Sequence, residues 1–332
     1  MPQDNYLPPY TITDESINLI SYITEILTKL SVSGDLLNNN PRLRRDNHIR
    51  TIHASLAIEN NSLSIDQMAD IINGKRVLGP PSEIVEVKNA YAAYERLLEM
   101  NPFSIKDMLT AHKILMNELT KEAGIFRSGG VGVFAGERLV HMAPPAQRIP
   151  ELIAQLVEWT KKSDAHPLIK SCVFHYEFEF IHPFADGNGR MGRMWQTLLL
   201  SKWKPLLGWL PIETLIRERQ AEYYNVLGQC DHNADSGLLV NFLLKAIYDA
   251  LTEIAATEQV GDQVSEQVRK LLEQLAQGEE VSSKELMARV GIKHRPTFRN
   301  NYLLPALALG YMEMTAPEKP NSSKQKYRLL LR

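Results

Sequence analysis

Apolar residues recur at three- and four-residue intervals along most of this chain, and alternating runs of Val, Ile, Tyr or Thr are few. That period marks amphipathic helices packed on a shared core. The stripe in Ile17–Leu30 predicts a first helix, Asn38-Asn39-Asn40-Pro41 a break, and Arg42–Asn60 a second helix. Ser64-Ile65-Asp66-Gln67 reads as a capping box opening a short helix, with Gly74 as its stop. Ser82–Met100 is a long amphipathic helix ended by Asn101-Pro102, and Ser104 caps another that reaches about Leu119. The same period predicts helices over Ile149–Thr160, His166–Ile181, Asn188–Lys202, Ile212–Cys230 and Gly237–Ala256.

One stretch of the first 260 residues breaks the pattern. Between Gly124 and Pro145, Val131, Val133, Phe134, Leu139 and Val140 flank Ala-Gly-Glu-Arg, which predicts a β-hairpin. The polar run Thr257–Ser265 reads as a linker. After it come three helical patterns, Val264–Gln277, Ser283–Val290 and His294–Leu309, then two short strand patterns around a Pro/Asn/Ser turn. That order predicts a winged helix-turn-helix. The expected organisation is therefore mainly α: a helical region over 1–100, a helical core with a hairpin over 101–257, and a winged-helix domain over 264–332.

Composition adds limits. The chain has 332 residues, 44% hydrophobic and 23% charged, as an ordinary globular protein has. No apolar run reaches the roughly 18 residues of a membrane span, and Met-Pro-Gln-Asp is no secretory leader. Cys172 and Cys230 cannot build a disulfide framework, so a reducing, cytoplasmic setting is expected. The formal charge is −2, unevenly spread: residues 262–332 hold 12 Lys and Arg against 8 Asp and Glu, and the rest holds 25 against 31.

The chemistry concentrates in His182-Pro-Phe-Ala-Asp186-Gly-Asn-Gly-Arg190-Met-Gly-Arg193. Pro183 ends a helix at His182, and a histidine at such an end can face a cleft and act as a general base. Gly187, Asn188 and Gly189 tolerate left-handed backbone and can gather N–H groups into an anion nest. The next helix starts there, so its dipole points at the same place. Arg190 and Arg193 suit a ligand with several phosphates, and Asp186 suits a Mg²⁺ ion bridging phosphate oxygens. Gly-Asn-Gly alone is a turn signal and a lone His is usually structural. The full set within 12 residues points to a phosphate site.

This segment resembles the signature of the Fic family of nucleotidyltransferases, H-P-F-x-[D/E]-G-N-G-R-x-x-R, at every specified position. The resemblance covers about residues 40–250. It implies a helical fold with a β-hairpin flap, and transfer of AMP from ATP to a Tyr, Thr or Ser hydroxyl of a protein. His182 would deprotonate that hydroxyl. Asp186 would hold Mg²⁺ against the α- and β-phosphates. Gly187, Asn188 and Gly189 would cradle them, with Asn188 also bonding through its side chain. Arg190 would bind the β-phosphate and Arg193 the γ-phosphate, while Phe184 packs to fix the loop. The flap over Val131–Pro145 would pair with the target segment, with His141 and Met142 nearest the nucleotide. Tyr223 and Tyr224 match an aromatic pair on the adenine side; by themselves they read as core.

Ser55-Leu-Ala-Ile-Glu59-Asn60 matches the family's inhibitory pattern. The resemblance implies that Glu59 pairs with Arg193 and misplaces ATP, with Ser55 helping to fix the helix, about residues 48–60. The same Glu serves removal of AMP in some relatives, and other relatives transfer UMP, phosphocholine or a phosphoryl group. His175 in its apolar helix reads as core, and His48, His53 and His112 receive no role. Trp195, Trp203 and Trp209 read as packing. In the C-terminal part, Lys293, Arg295, Arg299 and Asn300 with Lys324, Lys326 and Arg328 form a face for DNA or for protein. A DNA-binding regulator with a nucleotide-sensing core and a homodimer also remain open at this stage.

Overall fold

A computed structural model describes residues 6–32, 41–135, 138–262, 266–276, 278–308, 311–317, 322 and 325–330. The chain divides into two compact units, one up to Glu253 and one from Ile254. No helix among the described residues is long and apolar enough to cross a membrane.

The first unit holds α1 (Asp14–Val32), α2 (Pro41–Ile58), α3 (Ile65–Ile72), α4 (Pro81–Leu97) and α5 (Ile105–Leu115). A hairpin follows, β1 (Gly132–Ala135) and β2 (Arg138–Met142), then α6 (Ile149–Lys162), α7 (Pro167–Ile181), α8 (Asn188–Trp203), α9 (Ile212–Glu218) and α10 (Gln220–Asn233), while α11 (Gly237–Asp262) starts in this unit and its residues from Ile254 on belong to the second. Local chemistry sets several ends. Ser64 caps α3 with a full capping box: Gln67 N donates to Ser64 Oγ at 3.2 Å and Ser64 N donates to Gln67 Oε1 at 2.9 Å. Ser104 caps α5, and Pro81 and Pro167 sit where their missing N–H costs nothing.

The centre is the antiparallel pair α7 and α8, each buried on nearly every side. Phe174, Phe178, Met191, Met194 and Trp195 are fully enclosed. Burial of each such side chain contributes about 1.5–3 kcal/mol. Trp195 Nε1 donates to Pro102 O at 3.1 Å, so its one polar atom is satisfied. The loop between these two helices, residues 182–187, is thus anchored at both ends in buried helices.

Two expectations need correction. The single helix over Ile212–Cys230 is two, broken at Arg219 (φ −112°, ψ 31°). The break lets Arg219 reach Asp249 at 2.6 Å and lets Gln220 Nε2 donate to Ile58 O, at the end of α2, at 3.0 Å. The stretch read as a linker is helical as far as Asp262. The expected hairpin turn, with Gly136 and Glu137, lies outside the described residues, while β1 and β2 pair antiparallel with an irregularity between Val133 and Phe134.

The second unit holds α12 (Glu266–Leu272), β3 (Val281–Ser282), α13 (Ser283–Val290), α14 (Arg295–Phe298), a π-helical stretch Arg299–Leu303, α15 (Leu304–Ala308), β4 (Met312–Met314) and β5 (Lys326–Leu329). Its antiparallel sheet runs β3-β5-β4. β3 is a strand that the hydrophobic pattern misses, because two residues are too few to show a period. Val268, Leu271, Leu286, Phe298, Ala306 and Met312 form this unit's own core.

Candidate active site

The site begins with strained backbone. Pro183 bars the helical region to His182, which closes α7 in the left-handed region at φ 50°, ψ 62°. Such a conformation costs a non-glycine residue about 1–3 kcal/mol and needs neighbours to hold it. Arg127 supplies the hold. It is buried, and its Nε donates to His182 O at 2.7 Å, while its other nitrogens donate to Gly129 O at 2.6 Å and Pro144 O at 2.7 Å. Its backbone N–H donates to Pro183 O at 3.0 Å. Burial pulls its pKa down, yet a guanidinium stays charged. One side chain therefore ties the loop at His182 to both ends of the hairpin segment. His182 Nδ1 lies 3.3 Å from Glu179 O. A carbonyl only accepts, so Nδ1 carries the proton and Nε2 keeps its lone pair.

The loop is packed from beneath by a second histidine. Phe184 is fully buried, and the His112 ring stacks on it at 3.6 Å with the planes 3° apart. Gly124 N donates to His112 Nδ1 at 2.9 Å, which leaves His112 Nε2–H to donate to Asp186 O, also at 2.9 Å. Burial lowers the pKa of His112, in keeping with this neutral form. The carboxamide of Asn188, expected to reach a phosphate, instead closes the loop. Phe184 N donates to its Oδ1 at 2.9 Å and its Nδ2 donates to Phe184 O at 2.8 Å. Asn188 offers a ligand its backbone N–H alone.

Gly187 takes φ +84°, and a Cβ there would overlap Met116 Sδ. The chain then enters α8, whose first N–H groups have no intrahelical acceptor. Glu59 occupies this spot. Its Oε1 lies so close to Gly189 that a Cβ on that residue would overlap it. The same oxygen accepts from Arg193 NH2 at 2.8 Å. Arg193 is itself buried, with Nε donating to Ser55 Oγ at 3.2 Å and NH2 donating to Ser55 O at 3.0 Å. Burial opposes the charge of Arg193, and Glu59, Tyr223 and Glu179 together more than offset it, so the net shift is upward.

Arg190 takes a different path from Arg193. Its NH1 donates to Glu86 Oε1 and its NH2 to Asp186 Oδ1, both at 3.2 Å. Glu86 Oε2 in turn accepts from Asn61 Nδ2 at 2.8 Å, just past the end of α2. Asp186 is exposed and also accepts from Gly187 N at 2.6 Å. No group of three or more His, Cys, Asp or Glu suited to a metal occurs among the described residues.

The tyrosine pair splits. Tyr223 is enclosed, its hydroxyl 2.8 Å from His175 Nε2, so it is a core residue and not a ligand surface. Tyr224 is half exposed, and its pKa is raised by burial and then by the charge of Glu59, which places it near the nest. Helix α10, which carries it, touches β2. Met142 ends β2 exposed, and His141 pairs with Val133 through the backbone; the His141 side chain lies outside those described. Arg127, His112 and Glu86 are the site residues that sequence reading missed. Each acts across at least 55 residues, and only the rarity of a buried Arg or His on an apolar face hinted at any of them.

The Fic/DOC family profile matches residues 102–200, and the profile described as "Filamentation induced by cAMP protein Fic-like, C-terminal domain" matches residues 266–330. The crystal structure of a Fic family protein from Desulfovibrio desulfuricans G20 is 53% identical, with a TM-score of 0.74 over 98% of this chain and 99% of that one. The protein adenylyltransferase fic-1 of Caenorhabditis briggsae is 29% identical over 218 residues, covering 61% of this chain and 39% of its own. The protein adenylyltransferase Fic of Nematostella vectensis is 26% identical over 227 residues, covering 63% and 51%. The chain thus spans between two fifths and about half of the length of these curated relatives. With this identity and this loop, the chain belongs to the Fic family.

Proposed function

We propose that this protein moves AMP from ATP to a hydroxyl of a target protein and that Glu59 restrains it. The observation that carries this reading is the loop itself: His182, whose Nδ1 faces Glu179 O, opens a loop that runs into a nest of N–H groups flanked by Arg190 and Arg193. Relatives of 26% and 29% identity are named protein adenylyltransferases, in line with this chemistry.

The step balances as follows. The target oxygen bonds to the α-phosphorus, the bond from that phosphorus to the bridging oxygen breaks, and pyrophosphate leaves. The hydroxyl proton passes to His182 Nε2. The N–H groups of the nest and α8 hold phosphate charge in place. Arg190 takes the β-phosphate and Arg193 the γ-phosphate, each exchanging a carboxylate partner for phosphate oxygens. Asp186 fits Mg²⁺: it is one exposed hard carboxylate beside the nest, and Mg²⁺ uses one or two carboxylates plus substrate phosphates. Bound there, the ion would neutralise charge on the phosphates. Tyr224 and Met142 are the exposed side chains nearest the expected adenine side and flap, and the backbone of the hairpin is where a target strand would add.

Glu59 restrains the reaction in two ways. It occupies the cation meant for the γ-phosphate, and it brings a negative charge to Gly189, where phosphate must lie. A triphosphate binding beside it sits out of line for attack, and misplacement by 1 Å can cost on the order of 100-fold in rate. Incubating the protein with Mg²⁺ and ATP labelled on either the α- or the γ-phosphate tests the reading. Label retained from the α position alone is expected. Label retained only from the γ position would mean phosphoryl transfer and overturn it.

A further inference from the structure

We infer that the C-terminal unit binds duplex DNA through the exposed face of the helical run that begins at Arg295. This assignment is independent of the nucleotidyl-transfer reading. It starts from topology. Helix α13 ends at Gly291, which takes φ +78°, and after a short turn the chain re-enters helix at Arg295. Phe298, Tyr302, Leu303 and Ala306 point into the core. Lys293, Arg295, Arg299 and Asn300 are all exposed. A helix packed this way on a preceding helix, with its polar side outward, is the arrangement that enters a major groove.

The charges of this unit sort themselves. Arg289 is paired with Glu279 at 2.7 Å and Glu285 at 3.3 Å. Arg328 is paired with Glu313 at 2.5 Å and Glu280 at 3.8 Å. Lys293, Arg295 and Arg299 have no ion pair among the described residues, and residues 291–308 contain no Asp or Glu. Four of the unit's acids, Glu279, Glu280, Glu285 and Glu313, are thus engaged by Arg289 and Arg328, while Lys293, Arg295 and Arg299 cluster within seven residues that hold no acid. Arg299 and Arg295 also lie near Tyr327 of β5: burial raises that phenol's pKa and their charges oppose the rise. Lys326, exposed on the same strand, extends the positive surface, while Lys324 lies outside the described residues.

Several features favour DNA over an acidic protein. A protein interface needs apolar anchors at its centre, and Leu304 is the single large apolar side chain exposed along 291–308. Residues 295–300 span roughly 8 Å along a helix, within the major groove's width of about 12 Å. Asn300 beside Arg299 offers the paired donor and acceptor that read an adenine edge. A π-helical turn, Arg299–Leu303, starts at Arg299, and such turns often mark functional positions.

The test uses the full chain and a fluorescein-labelled 30-base-pair duplex of mixed sequence, followed by anisotropy from low to moderate salt. Binding is expected at low salt in the range of about 10⁻⁶–10⁻⁴ M, weakening as salt rises. The R295A/R299A variant should bind at least about tenfold more weakly, with a salt slope smaller by about 2. The R295K/R299K variant should keep most of the affinity, with AMP labelling unchanged in both. No binding at low salt would overturn the assignment. So would equal binding by the double alanine variant, or tighter binding to an RNA hairpin than to the duplex.

Discussion

Arg193 gives one hydrogen bond to the Glu59 carboxylate at 2.8 Å and two to Ser55, one helical turn earlier on the same chain segment. The cation expected to meet a γ-phosphate is thus fully engaged by α2 and the turn that follows it. A salt bridge this enclosed is held by geometry as much as by charge. Removing Glu59 leaves the Arg193 charge buried with only the neutral Ser55 groups as hydrogen-bond partners among the described residues, whereas Glu59 itself is partly exposed. In the proposed reaction ATP would supply a replacement partner for Arg193, so substrate and Glu59 would compete for one guanidinium.

Gly189 is predicted to tolerate no side chain. A methyl there would overlap Glu59 Oε1 and lie 3.0 Å from Arg193 NH1. It would push the brake away and occupy the phosphate position at once. Gly189→Ala placed in a Glu59→Gly background should lower the rate of AMP transfer by more than about tenfold. A rate equal to that of Glu59→Gly alone would mean that phosphate does not lie against Gly189.

Arg127 holds the His182 turn and both ends of the hairpin segment. Arg127→Ala would orphan several buried carbonyls, each costing about 1–3 kcal/mol, so a loss of about 3 kcal/mol is expected in urea unfolding. Arg127→Lys should recover little of it, because one ammonium cannot reproduce the fork. Hydrogen exchange of the hairpin amides should rise in both variants. Unchanged exchange in the hairpin would sever the link drawn between loop and flap.

His112 supports the nest without touching the ligand. His112→Phe keeps the stack on Phe184 and loses the bonds to Gly124 N and Asp186 O. The expected effect is on phosphate placement: KM for ATP rises several-fold and far-ultraviolet circular dichroism stays the same. His112→Asn, which keeps a polar group and loses the stack, should fare worse in thermal stability.

Glu213 gives the fold a pH dependence. It is buried, accepts from Tyr94 Oη and Thr197 Oγ1 at 3.2 Å each, and leaves Oε2 without a hydrogen-bond partner. Burial pushes its carboxyl up to about 7, against the pull of Arg193. A folded-state value above the unfolded one favours the neutral acid. Its contribution to stability is complete below about pH 4.5 and is lost as pH rises through 7. Glu213→Gln is neutral throughout, so its stability should fall less than that of wild type between pH 5 and 8, by about 3 kcal/mol. Parallel pH profiles for the two proteins would contradict this.

How far the sequence announces this site depends on distance along the chain. His182, Asp186, Gly187 and Arg193 lie in one short run, and their backbone demands can be read locally. Ser64 and Ser104 caps are equally local. The Glu59–Arg193 pair spans 134 positions and became legible only through family resemblance. Arg127, His112 and Glu86 sit in ordinary stretches, and their roles arise from carbonyls and rings that tertiary packing brings to them. Arg219 shows the same limit in the fold: its helix pattern is continuous, and the break is set by Asp249 and by Ile58 of a distant helix. Asn188 shows the reverse, a motif residue whose side chain serves the loop and not the phosphate.

The most direct test compares the initial rate of α-labelled AMP incorporation by wild type, Glu59→Gly, and Glu59→Gly/His182→Ala in Mg²⁺ and ATP. The account predicts a rise of at least about tenfold on removing Glu59, abolished when His182 is also lost. Equal rates for wild type and Glu59→Gly, or incorporation that survives loss of His182, would contradict it.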